Sequence, residues 1–238
     1  VGSDPRSNWV VLMAGGLGTR LRPITESIPK PMIDVGGRPI LETIVDTLAQ
    51  CGFQRLFMSV NYRAEMIESH FGDGGAYGLQ IEYLRENERL GTAGALSMLP
   101  ASPEAPLLVM NGDVLTGLDL GNFVDMHTDG PARITVGVRE IVTQIPFGVM
   151  EMEDDLVRAI VEKPEIRSVV SAGIYALSPA VLPSVPKGTY FDMPTLISRA
   201  IGAGHRVHAH RIREHWIDVG RLDDLERARL EFEGGGGA

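Results

Sequence analysis

Apolar residues in this chain fall in short unbroken runs, separated by stretches whose apolar positions recur with a helical period. Val10-Val11-Leu12-Met13 reads as a buried parallel strand that runs into a glycine cluster. Pro39 opens a helix in which Ile40, Leu41, Ile44, Val45 and Leu48 share one face, and Gly52 closes it before the strand Leu56-Phe57-Met58-Ser59-Val60. A second unit runs from a helix over 64–71 to the strand Ile81-Glu82-Tyr83-Leu84. A third runs from a helical stretch over 93–99 to Pro106-Leu107-Leu108-Val109-Met110, bounded by Asn111-Gly112-Asp113. Strands alternating with helices in this way imply right-handed crossovers and a mostly parallel sheet with helices on both faces. Ligands then sit beyond the strand C-terminal ends. After about residue 130 the pattern shifts to shorter β-like runs over 134–138, 149–152, 157–161 and 169–176, which predict antiparallel or mixed pairing in a second lobe. Helices over 193–201 and 222–232 close the chain, and no internal repeat is visible.

Composition narrows the function classes. With 238 residues, 44% of them hydrophobic, the chain can bury a sizeable core, so a globular domain is expected over residues 8–232. A formal net charge of -9 argues against a protein that grips nucleic acid by its phosphates, although a few local cations suffice for one nucleotide. The single cysteine, Cys51, forbids an internal disulfide, and beside Gly52 at a helix end it reads as packing. No apolar run approaches the roughly 20 residues that span a bilayer, and the first residues lack the apolar core of a signal peptide. A cytoplasmic protein with no membrane partner is therefore expected. Residues 1–7 and 233–238, the latter holding Gly234-Gly235-Gly236-Gly237-Ala238, read as linker or cut ends, as if the chain were one module fused to another.

The richest motif follows the first strand: Ala14-Gly15-Gly16-Leu17-Gly18-Thr19-Arg20-Leu21-Arg22-Pro23. Its glycines let backbone N–H groups approach an anion without interference from Cβ atoms, which makes a phosphate cradle. It is not the dinucleotide fingerprint, because Leu21 or Leu17 stands where a glycine is required, and no Gly-Lys-Ser/Thr follows to make a P-loop. Arg20 and Lys30 supply the positive charge, Lys30 being held between Pro29 and Pro31.

Gly16-x-Gly18-Thr19-Arg20-Leu21-x-Pro23-x-Thr25 followed by Pro29-Lys30-Pro31-Met32 resembles the signature of the nucleotidyltransferases that activate sugar phosphates. The resemblance extends from Val10 to about Leu225. It implies a Rossmann-like three-layer α/β/α fold of the nucleotide-diphospho-sugar transferase type, with a mostly parallel mixed sheet. It also implies a nucleotide-binding half over about 8–130 and a smaller sugar-binding lobe over about 131–220. The activity implied is transfer of a nucleoside monophosphate from a nucleoside triphosphate to a hexose 1-phosphate, with Mg²⁺ as cofactor and pyrophosphate as by-product. Homo-oligomers are common in this family.

Carried over residue by residue, the resemblance assigns Leu12, Ala14, Gly15, Gly16, Gly18, Thr19 and Arg20 to the nucleotide, with Gly91 and Thr92 of Leu90-Gly91-Thr92-Ala93-Gly94-Ala95 at the base. Asp113, just after an apolar strand, and Asp218, in Trp216-Ile217-Asp218-Val219-Gly220, are the implied Mg²⁺ ligands. Glu162-Lys163-Pro164 offers a carboxylate for sugar hydroxyls and a point charge for the sugar phosphate, and Asn111, Gly148 and Gly173 leave room for a pyranose ring. Arg20, Lys30, Asp113 and Lys163 are the expected catalytic set. Glu86 stands near where relatives that read thymine or uracil place a Gln. A carboxylate can accept from guanine N1–H and N2–H₂ together but would face the carbonyls of uracil or thymine, so GTP is the favoured substrate. The competing reading of Glu86 is a solvated charge in the polar Arg85-Glu86-Asn87-Glu88-Arg89 loop. Asp192 is expected to cap the helix after it, and His208 and His210 to share a strand face without a third metal ligand. Two rivals remain: a non-catalytic sugar-nucleotide sensor, and a nicotinamide-dependent oxidoreductase, which lacks its glycine fingerprint here.

Overall fold

The computed structural model describes residues 4–233; the linker reading of residues 1–3 and 234–238 lies outside the described residues. The chain begins with β1 (Arg6–Met13), β2 (Asp34–Val35), β3 (Arg38–Pro39), α1 (Ile40–Gln50), β4 (Phe53–Val60), α2 (Ala64–Phe71) and β5 (Gln80–Arg85). Next come α3 (Gly91–Gly94), β6 (Leu107–Asn111), β7 (Val114–Thr116), α4 (Leu120–Asp129) and β8 (Ile134–Gln144). The remainder holds β9 (Gly148–Glu153), β10 (Leu156–Glu162), β11 (Glu165–Leu177), α5 (Met193–Gly202), β12 (Val207–Arg211), β13 (Trp216–Asp218) and α6 (Leu222–Glu233).

Seven strands form one sheet in the order β12-β8-β11-β6-β1-β4-β5. β1 runs parallel to β4 and β6, β5 parallel to β4, and β12 parallel to β8, while β11 is antiparallel to both its neighbours. The alternation of side chains along β1 explains its unbroken apolar run. Val10 and Leu12 face a core shared with Ile40 and Leu41 of α1, Ile67 of α2 and Phe123 of α4. Val11 faces the opposite core, with Met193 and Leu196 of α5. The result is the expected three-layer α/β/α architecture. Strand order reverses at β1, since β4 and β5 lie on one side and β6 on the other, and a ligand crevice opens at such a point.

Several expectations are refined. The strand starts at Arg6, inside the segment read as linker. Its guanidinium donates to both carboxylate oxygens of Asp125 at 2.6 and 2.8 Å and to the Cys51 carbonyl at 3.0 Å, so a charged residue of that segment ties β1 to α4. The helix expected over 93–99 is broken into α3 and a 3-10 turn over Ala95–Met98. There the Ala93 and Gly94 N–H groups donate to the Phe191 carbonyl at 3.0 and 2.9 Å, outside any helical ladder. The lobe expected beyond residue 130 shares its strands with the central sheet. The first five residues of β8 and the last six of β11 are buried in the body, whereas their outer halves project into solvent and continue into the separate β9–β10 hairpin. Asp192 does cap α5, accepting from the Thr195 N–H at 2.9 Å. Among the described residues no helix is long and apolar enough to cross a membrane.

Candidate active site

The end of β1 is clamped between its neighbours: the Ala14 N–H donates to the Ser59 carbonyl at 2.9 Å, and the Gly112 N–H donates to the Met13 carbonyl at 3.0 Å. Gly112 favours that closeness, because a Cβ there would stand a tight 3.1 Å from the Met13 carbonyl oxygen. Two residues expected among the nucleotide contacts lie at this junction with their side chains turned inward. Leu12 is wholly buried, opposite Met58 and Met110 in the ladder, and belongs to the core. Ala14 is buried as well, with its N–H already committed, so the exposed part of the loop begins at Gly15.

Beyond Gly15 the loop is open around Gly16, where an added Cβ would meet nothing within 4 Å. At Gly18 the backbone turns left-handed (φ 60°), and a Cβ would stand 2.8 Å from Thr25 Cγ2 and 3.0 Å from Lys30 Cβ. Thr25 secures the turn by donating to the Gly18 carbonyl at 2.9 Å. Thr19 and Arg20 follow on an exposed 3-10 turn anchored by buried Leu21. The glycine loop thereby packs against the root of Lys30, whose side chain is only 8% exposed.

Lys30 reaches the two carboxylates that the sequence could not bring together. β7 and β13 pair with Asp218 opposite Val114, and the Val219 N–H donates to the Asp113 carbonyl at 3.1 Å, so residues more than a hundred positions apart become neighbours. The Lys30 ammonium is ion-paired to Asp113 Oδ2 and lies 3.7 Å from Asp218 Oδ1. Asp113 Oδ1 and Asp218 Oδ1 are buried with no hydrogen-bond partner. Burial, and then the charge of Asp113, push the Asp218 carboxyl above its ordinary pKa, against the opposing pull of Lys30 and Arg20. Arg20 stands close by, its guanidinium 3.5 Å from the position a Cβ would take on Gly220.

On the other side of the loop, Glu86 is not a solvated charge. Its carboxylate accepts from the Ser59 hydroxyl and, at 2.8 Å, from the Leu90 N–H, while Asn61 donates to its backbone carbonyl at 2.7 Å. Oε1 of Glu86 lies 3.4 Å from where a Cβ on Gly15 would be, so the carboxylate overlooks the glycine loop. Ser59 was missed by sequence reasoning; its signal was a lone polar residue inside an apolar strand, and it is almost wholly buried. Gly91 adopts φ 78° under the Phe191 carbonyl, and the Thr92 hydroxyl accepts from the Met193 N–H at 2.9 Å, which gives Thr92 a helix-capping task.

The expected sugar residues fall into two groups. Asn111 and Gly173 meet at the body: Gly173 has φ 74°, and a Cβ on it would stand 2.7 Å from Asn111 Nδ2. Gly148 and Glu162 face each other across the β9–β10 hairpin, and exposed Lys163 follows with φ 47°, its N–H donating to the Phe147 carbonyl at 3.2 Å. Among the described residues no hydrogen bond or ion pair joins this second group to Lys30, Asp113 or Asp218.

Fold and site together define an α/β protein with a glycine loop, a buried lysine and a carboxylate pair beyond the C-terminal ends of the central strands of a mixed, mostly parallel sheet. The Nucleotidyl transferase family model matches residues 9–234, and the chain belongs to that family. Among its relatives are a mannose-1-phosphate guanylyltransferase of Mycobacterium tuberculosis, 32% identical over 93% of this chain and 64% of the relative, and a UTP–glucose-1-phosphate uridylyltransferase of Synechocystis, 32% identical over 92% of this chain and 61% of the relative. The chain thus spans less than two thirds of the length of these relatives. The crystal structure of HddC from Yersinia pseudotuberculosis superposes with a TM-score of 0.73 at 28% identity, covering 94% of this chain and 99% of that one.

Proposed function

We propose that the chain transfers a nucleoside monophosphate from a nucleoside triphosphate to a hexose 1-phosphate. The observation that carries this reading is the Lys30–Asp113–Asp218 cluster beside the Gly15–Gly18 loop, with one buried oxygen on each carboxylate that has no hydrogen-bond partner. Those two oxygens suit Mg²⁺, which is held in such sites by one or two carboxylates and takes the rest of its shell from phosphates and water. Among the described residues no group of three or more His, Cys, Asp or Glu could hold a metal unaided, in keeping with a cation that arrives with the nucleotide. Bound there, Mg²⁺ would supply charge neutralisation to the triphosphate.

The remaining steps belong to the chain's own residues. An oxygen of the sugar phosphate attacks the α-phosphorus; a new P–O bond forms, the bond to the β-phosphoryl oxygen breaks, and pyrophosphate departs in line. No general base is required, because a phosphate monoester with a second pKa near about 6 is already ionised at neutral pH. Arg20 steadies the departing pyrophosphate, Lys30 the phosphates beside the carboxylates, and Lys163 the incoming sugar phosphate. Glu162 and Asn111, with the backbone at Gly148 and Gly173, receive the sugar. Glu86, held by Ser59 and the Leu90 N–H, favours guanine, and the complex of HddC with GMP-PN supports that preference.

The test is pyrophosphate release with Mg²⁺ across four nucleoside triphosphates and several hexose 1-phosphates, omitting each substrate in turn. Release only when both are present, and fastest with GTP, is expected. No release under any pairing, alongside tight binding of a sugar nucleotide, would replace the transferase with a sensor.

A further inference from the structure

Lys30 sits where two requirements conflict. Its Cβ is pinned against Gly18, its segment is held by Pro29 and Pro31, and its ammonium contacts Asp113 while standing 3.7 Å from Asp218. Asp113 and Asp218 alone would place two negative charges side by side in a partly buried pocket, an arrangement that needs a cation even when no metal is present. Lys30 is the cation the chain holds against Asp113, with Arg20 acting on Asp218 from further out. An ammonium and a divalent ion drawn to the same two carboxylates repel each other, and in a partly buried site that repulsion is large.

We infer that the Lys30 ammonium is the resident counter-ion of the Asp113–Asp218 pair in the metal-free protein, and that it yields Asp113 when a divalent cation binds. The inference rests on the reading of Asp113 and Asp218 as divalent-cation ligands. Its consequence is ordered loading. The cation alone binds weakly because it must displace Lys30; substrate phosphate offers the ammonium a new partner, so cation and phosphate each strengthen the other's binding by the same factor. A lysine suits this exchange because its charge rides on a flexible four-carbon stem, whereas a planar guanidinium would be committed to one geometry.

The experiment is Mn²⁺ binding to the whole chain without nucleotide, read from the free-ion paramagnetic resonance signal, for the wild type, Lys30→Met and Lys30→Gln. Each variant is checked by circular dichroism, and the second serves if the first fails to fold. The variants are expected to bind Mn²⁺ about tenfold more tightly than the wild type. They are also expected to melt at a lower temperature without metal, and Mn²⁺ should restore more of that temperature than it adds to the wild type. Added pyrophosphate should tighten Mn²⁺ binding in the wild type more than in the variants. Unchanged or weaker Mn²⁺ binding in both variants would overturn the inference. If Asp113→Asn in the Lys30→Met background leaves Mn²⁺ binding intact, the carboxylate reading itself fails; if it abolishes binding while Lys30→Met alone gives no tightening, only the counter-ion inference fails.

Discussion

Replacing Gly18 by alanine should separate the architectural part of the glycine loop from its chemical part. At φ 60° an alanine is strained by about 1–2 kcal/mol relative to glycine. Its Cβ would also stand 2.8 Å from Thr25 Cγ2 and 3.0 Å from Lys30 Cβ, and neither neighbour is free to retreat: Thr25 is buried and bonded to the Gly18 carbonyl, and Lys30 is tethered at the carboxylates. Overpacking of this kind adds about 1–3 kcal/mol, for a total of about 2–5 kcal/mol, or a melting temperature lower by roughly 4–20 °C in a domain of this size. A displacement of Lys30 by about 1 Å would by itself cost about 100-fold in turnover. Gly16→Ala is the matched control: nothing lies within 4 Å of its Cβ, so stability should change by less than about 0.5 kcal/mol, while turnover falls because the methyl intrudes where a phosphate must approach the backbone. Urea unfolding followed by circular dichroism, together with pyrophosphate release, reads both variants. Equal losses of stability in the two, or full activity in Gly18→Ala, would refute the division of roles.

Asp113→Asn should remove at least about 100-fold of the Mg²⁺-dependent turnover while leaving the melting curve close to that of the wild type, because the ladder around it is unaffected; near-normal pyrophosphate release would exclude the metal role. Glu86→Gln should narrow the preference for GTP over the other triphosphates by about tenfold, since one amide hydrogen then faces the guanine donors; an unchanged ratio of kcat/KM values would show that Glu86 serves only its loop. His127, buried in α4 with its ring nitrogens 2.8 Å from the Thr135 hydroxyl and 3.1 Å from the Ser178 hydroxyl, is pushed below its ordinary pKa of 6.5 by burial and then by the charge of His208. The unfolded chain therefore binds the extra proton first as pH falls, so this contribution is complete above about pH 6.5 and is lost progressively below it. His127→Gln should flatten the fall in stability between about pH 7 and pH 5, and an unaltered slope in urea titrations would contradict the assignment.

The strand–helix alternation was legible because both faces of the sheet are covered, leaving β1, β4 and β6 as unbroken apolar runs between amphipathic helices. The glycine loop was equally legible, as its chemistry is local. The meeting of Asp113 with Asp218 was not, because it depends on the pairing of two three-residue strands, β7 and β13, whose partners lie about a hundred residues apart. Arg6 looked like part of a linker because its partners, Asp125 and the Cys51 carbonyl, are equally remote. For Leu12 the motif names a position, but the pleat decides which way its side chain points, and here it points into the core. Glu86 stood out only by its place near a Gln of relatives, with a solvated charge as the competing reading; the environment that separates the two is supplied by Ser59 from the neighbouring strand.

β8 and β11 run without interruption from the packed body into the projecting arm, where Met150, Met152, Val157 and Ile160 of the hairpin beyond are at least half exposed. Substitutions in the arm therefore disturb little buried surface, whereas changes around Gly18, Lys30 and Asp113 disturb a crowded one. Under selection the two regions should diverge at different tempos. The arm can therefore accumulate tolerated changes while the crowded body stays fixed, a division of mutational risk between two parts of one chain.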